Sequence, residues 1–212
     1  MIEEITAKNI MDLREAVIKC LTVRVQPVAS IPSNHYWKPN YFIGIEKYLS
    51  LSFSDGKNLQ TIENKKSLEK ILTQFSISIS DAWKYAEDNF RINVNIFNIK
   101  DIFPFPVTPT DIATDMLVVT NETMFGGAAA ITDDVILLKI GKMLNSKKFI
   151  IFPSSIHEVI VTPYTDDMDI SKCKSIVKMI NGDASCISPE IVLSYNIFLI
   201  HEVNGNIFVD IK

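Results

Sequence analysis

Tyr195-NIFLIHEVNGNIFVD-Ile211 carries the clearest local signal in the chain. Two apolar, β-branched runs, Tyr195 to Val203 and Asn206 to Ile211, flank the dipeptide Asn204-Gly205. Asn-Gly tolerates the positive φ angles of a two-residue turn whose twist matches that of its strands, so the runs pair as an antiparallel hairpin. His201 shares a strand face with Ile197, Leu199 and Val203 and reads as a buried, hydrogen-bonded histidine.

Upstream, the same alternation of strand and helix recurs. Ser188-Pro189 starts a short helical turn. Asp166 to Asp169 caps a helix with Ile170, Cys173, Val177 and Ile180 on one face, stopped at Asn181-Gly182. Phe149 to Phe152 and Ile156 to Thr162 read as strands joined by the turn Pro153-Ser154-Ser155. Thr132-Asp133-Asp134 caps a helix with Ile136, Leu137, Ile140 and Leu144 inward. Met116 to Thr120 is apolar on both faces, as in a central strand, and Gly126 to Ile131 reads as a small-residue strand paired with it. Many strands with a few intervening helices imply an α+β fold, a mostly antiparallel sheet packed with helices.

The first half is less regular. Residues 7 to 21 place Ile10, Leu13, Val17 and Leu21 at helical spacing. Pro27 to Pro39, with Ser30, Ser33 and Asn34, forms an irregular connection. Tyr41 to Phe53 reads as one strand ending at Ser54-Asp55-Gly56. A helix over Thr61 to Phe75 buries Leu68, Ile71, Leu72 and Phe75, and Ser78 with Asp81 caps the next one, which carries Ile79, Ala82, Trp83 and Ala86. Phe103-Pro-Phe-Pro-Val-Thr-Pro109 breaks regular structure. It divides an N-terminal elaboration, 1–102, from an α+β core domain, 103–212, and one continuous domain is the alternative.

Composition narrows the function. A net charge of -4, from 21 basic and 25 acidic residues spread along the chain, leaves no basic stripe for a nucleic-acid backbone. No apolar run approaches the roughly 20 residues that span a bilayer, so no membrane partner is expected. The acidic start MIEEITAKNI has no secretory pattern. Cys20, Cys173 and Cys186 are an odd set without CxxC spacing, which fits a reducing, cytoplasmic setting.

Chemistry-bearing types concentrate in Pro153-Ser-Ser-Ile-His-Glu158. Ser154 or Ser155 as nucleophile, His157 as base and Glu158 beside it would make a hydrolase site. Strand alternation puts His157 and Glu158 on opposite faces, and no GxSxG elbow is present. The structural alternative has the serines shaping a turn and His157 at the margin of the core beside Val159 and Val161. Met124-Phe-Gly-Gly-Ala-Ala-Ala130 lacks the spacing of a phosphate loop, and a ligand site over Gly126-Gly127 would need a pocket there. His35, His157 and His201 have no metal-ligand spacing, nor do Asp166, Asp167 and Asp169 complete a calcium loop. No cofactor is implied. His35, Tyr36, Trp37 and Tyr41 form an aromatic segment suited to a protein partner, or Trp37 folds back onto the first helix.

Three segments, Met116-LVVTNETMFGGAAAI-Thr132, Lys148-FIIFPSSIHEVIVT-Pro163 and Ile187-SPEIVLSYNIFL-Ile200, resemble in order and spacing the blocks of the family of unknown function numbered 5688. The resemblance spans roughly residues 103 to 212, with similarity at 78 to 90 and a faint one from Phe42 to Ile62. It implies a bacterial protein of uncharacterised role, shortened relative to longer relatives that carry an additional middle region. The Pro153 to Glu158 stretch falls within a family block, and no activity comes with it. The reading is a non-catalytic cytoplasmic protein-interaction module, with the Ser/His hydrolase as the alternative. Oligomeric state is not legible.

Overall fold

A computed structural model of the chain describes residues 2–28, 34–54, 59–102 and 115–212. Ser30, Ser33, the turn at Asp55-Gly56 and the break from Phe103 to Pro109 lie outside them.

The fold is α+β, with two antiparallel sheets and helices packed on them. Helix α1 (Ile2–Cys20) leads into β1 (Leu21–Pro27), so Leu21 begins a strand rather than ending a helix. Expected inward, Leu13 is 56% exposed, and Val17, Ile18 and Cys20 make the packing contacts. Two side chains tie the helix down. Arg14 donates to the Phe75 carbonyl, and Asn89 to the carbonyls of Ile18 and Leu21.

Strand β2 (Trp37–Lys38) lies within the stretch expected to be irregular and pairs with β3 (Ile45–Ser54). On its other side β3 pairs with β1, and β4 (Leu59–Ile62) pairs beside β2. The strand expected over Tyr41 to Phe53 starts only at Ile45. Gly44 takes φ +86°, and the Asn40 side chain accepts from Phe42 N–H while donating to the Ile45 carbonyl. A turn residue that can bond its own neighbourhood wins over strand propensity here. Helix α2 (Lys65–Gln74) is likewise shorter than expected, because Asn64 accepts from the N–H groups of Lys66 and Ser67 as N-cap.

Helix α3 (Ile79–Asn93) has the expected cap, Ser78 Oγ accepting from Asp81 N–H. It runs into β5 (Val94–Asn98) and the short α4 (Ile99–Ile102). Strands β6 (Leu117–Asn121), β7 (Lys148–Phe152), β8 (Val159–Pro163), β9 (Phe198–Val203) and β10 (Asn206–Ile211) complete a six-stranded sheet in the order β10-β9-β7-β8-β6-β5. At the hairpin, Asn204 and Gly205 take φ +53° and +81°. Helices α5 (Asp134–Met143) and α6 (Ile170–Asn181) carry their expected caps, Asp133 and Asp169.

Gly126 to Ile131, expected as a strand, is a 3-10 helix over Gly127–Thr132. A β carbon on Gly127 would stand 2.5 Å from Thr120 Cα. The segment therefore packs closely against β6 instead of pairing with it as a strand.

One large apolar cluster joins both halves: Leu21, Leu49 and Phe90 pack in the same core as Val119, Phe149 and Phe198. Phe42 meets Phe198 edge to face at 4.9 Å, pinning the 41–44 turn onto the six-stranded sheet. A smaller cluster, Ile150, Val177, Ile197 and Leu199, holds α6 on the opposite face.

Candidate functional site

The 153–158 segment is a loop, and β8 begins only at Val159. The strand alternation expected of His157 and Glu158 therefore does not apply, and His157 shares no strand face with Val159 and Val161. Ser155 is buried, and its hydroxyl accepts from the N–H groups of His157 at 3.0 Å and Glu158 at 3.3 Å. Ser155 N–H donates in return to the Glu158 carbonyl. This is the bonding of a serine-formed turn, in which a short hydroxyl replaces a backbone acceptor. Ser154 and Glu158 are half-buried at its margin.

The imidazole of His157 is committed elsewhere. Its Nδ1 accepts from Gly126 N–H at 3.1 Å, which puts the ring proton of the neutral form on Nε2. The ring stacks on Phe125 at 4.7 Å, and the Arg24 guanidinium lies 4.1 Å from the same phenyl ring. Burial, with Arg24 second, pushes the His157 pKa down, opposed by Glu158. Ser155, His157 and Glu158 thus share one turn, but among the described residues no hydrogen bond links either serine hydroxyl to the imidazole.

Arg24 is a buried cation that the charge pattern alone did not single out. It donates to Glu63 at 2.7 Å, and the Tyr48 hydroxyl reaches the same carboxylate at 3.4 Å. Burial pushes the Tyr48 phenol up to about 12, so it stays a neutral donor. Gly126 and Gly127 leave no open cradle: a β carbon on Gly126 would meet Arg24 Nε at 3.1 Å, and Gly127 lies on Thr120. Among the described residues no three His, Cys, Asp or Glu side chains converge as a metal-ligand set. No helix there is long and apolar enough to cross a membrane.

The aromatic segment splits in two. His35 stacks on Tyr48 at 5.0 Å, and Tyr36 lies under the Lys65 ammonium. Trp37 and Tyr41 instead point outward, 50% and 60% exposed, and Ile43 beside them is 75% exposed. Ile43 was missed because a strand through Tyr41 to Phe53 gave it no special place. Gly44, next to it, was the available signal for a turn.

Beside Tyr41 opens a groove of about 490 Å³ between residues 39–41 and the start of α5, lined also by Lys47, Glu87 and Arg91. Its cations are already engaged. Lys47 and Lys38 both meet Glu87, at 3.0 and 3.7 Å, and Arg91 meets Asp88 at 3.1 Å and Asp133 at 2.8 Å.

A family model described as a family of unknown function (DUF5688) matches residues 54–201. The chain belongs to this family. Membership covers most of the chain, reaching well upstream of the C-terminal half to which the resemblance had been drawn. No curated protein and no solved structure matches the chain.

Within the family region, the three resembling segments meet around the 153–158 turn. Ala128 N–H donates to the Ile156 carbonyl and Ile156 N–H to that of Ile191. The Thr120 hydroxyl donates to the His157 carbonyl, and buried Asn181 donates to the carbonyls of Pro153 and Ser194. Segments far apart in sequence thus satisfy one another's backbone, as a buried loop requires.

Proposed function

We propose that this chain is a non-catalytic, cytoplasmic protein-interaction module whose partner seats on Trp37, Tyr41 and Ile43. The observation that carries the reading is the exposure of these three large side chains on a braced segment. Asn40 closes the turn between them, and Phe42 is anchored on Phe198. Exposed aromatics held in place lose little entropy on binding and are frequent energetic centres of interfaces. His35 and Tyr36 support the segment from behind. The unpaired thiols of Cys20, Cys173 and Cys186 suit a reducing compartment. The 153–158 turn serves as a structural join rather than a reaction centre, and the shared core favours one continuous unit over a division at residue 102.

Affinity capture from native lysate tests this. A specific partner is expected with the intact chain, and Trp37→Ala should weaken its capture about 30-fold, the effect of a 2 kcal/mol interface centre. No partner with either protein, or equal capture by both, would overturn the reading.

A further inference from the structure

We infer that the groove beside Tyr41 receives an arginine side chain of the partner, its guanidinium stacked on the Tyr41 ring and paired with the Asp134 carboxylate. This rests on the interaction reading above and specifies its chemistry.

Charge complementarity carries the argument. Around the groove three cations, Lys38, Lys47 and Arg91, are already committed to Glu87, Asp88 and Asp133. Asp134 is the carboxylate left over: among the described residues no cation stands within ion-pair distance of it. Burial and repulsion from Asp133 push its carboxyl up, and Lys47 offsets them only in part. Asp134, exposed in the first turn of α5, thus brings a carboxylate without an ion-pair partner to the rim of a groove that also presents an aromatic ring and, at Val135, an exposed apolar side chain. A guanidinium answers all three features, since it is planar, weakly hydrated, stacks on aromatic faces and pairs with carboxylates. The groove is of a size that holds small ligands. Tyr41, which lines the groove, stands between Trp37 and Ile43 in the chain, so one partner segment would reach all three.

The probe is Nα-acetyl-arginine amide, titrated into isotope-labelled protein and followed by backbone NMR shifts. Its neutral citrulline counterpart and the lysine analogue are the comparison arms. Saturable shifts at Asn40, Tyr41, Asp134 and Val135 are expected with arginine, weaker ones with lysine and none with citrulline. Asp134→Asn should weaken arginine binding about tenfold, as loss of one member of a charge pair does; the helix cap Asp133 is left intact. Equal shifts with citrulline, or binding unchanged in Asp134→Asn, would overturn the assignment. If Asp134→Asn keeps full capture of the partner while Trp37→Ala loses it, the arginine site falls and the interaction reading stands. Capture insensitive to both substitutions removes the reading itself.

Discussion

His157 does its work as a hydrogen-bond acceptor. Gly126 is buried, and its N–H has the His157 Nδ1 as partner. Truncating the imidazole in His157→Ala strands that donor and should cost about 1–3 kcal/mol in chemical denaturation. The pH dependence follows from the burial of the ring, with the Arg24 guanidinium second and Glu158 opposing. The folded-state pKa of His157 lies below its ordinary value of 6.5, so the unfolded chain binds more protons once pH falls below that value. His157 therefore contributes a loss of stability as pH drops from about 6.5 toward the folded value, and nothing above it. The difference in stability between wild type and His157→Ala should shrink across that window, read as paired denaturation midpoints from pH 8 to pH 5. A constant difference would mean that burial and Arg24 do not hold the folded-state pKa of His157 below its ordinary value. None of this was legible in the local sequence, because the two partners are 31 residues apart. The serine turn itself was legible as the structural alternative, but the strand reading of Ile156 to Thr162 set His157 beside Val159 and Val161 rather than against Gly126.

Among the elements, those defined by their own residues were legible. Ser78, Asp133 and Asp169 cap helices where short polar side chains precede apolar periodicity. Asn204-Gly205 makes its hairpin. Elements defined by what they touch were not. The small residues Gly127 to Ile131 suit a close-packed strand and a close-packed 3-10 helix equally, and only contact with Thr120 separates the two. Gly127→Ala is the direct check. Its β carbon would strike backbone atoms, which cannot swing aside as a side-chain end can, so destabilisation should reach about 3 kcal/mol, the upper range of overpacking. A neutral effect on the denaturation midpoint would mean this segment does not lie on β6.

For the whole molecule, composition and hairpin pattern were enough for an α+β fold, whereas the exposure of Tyr41 and Ile43 depended on contacts across the chain. Tyr41 and Ile43 project because Phe42 between them is drawn onto Phe198. Asp134 becomes distinctive only when Arg91 is seen to be spent on Asp88 and Asp133. The continuous core also makes a thermodynamic prediction. Both tryptophans, Trp37 and Trp83, precede residue 102, so tryptophan emission reports the first half while far-ultraviolet dichroism reports the whole. If the core acts as one unit, the two unfolding curves coincide; separated midpoints would restore a division near residue 102. The interaction surface itself is tested most directly by site-specific photo-crosslinking in native lysate. A photoreactive phenylalanine at position 41 is compared with one at position 208, where Phe208 is similarly exposed on the edge strand β10. A single dominant crosslinked protein is expected from position 41 and none from position 208; equal crosslinking at both, or none at 41, would contradict a partner seated on Tyr41.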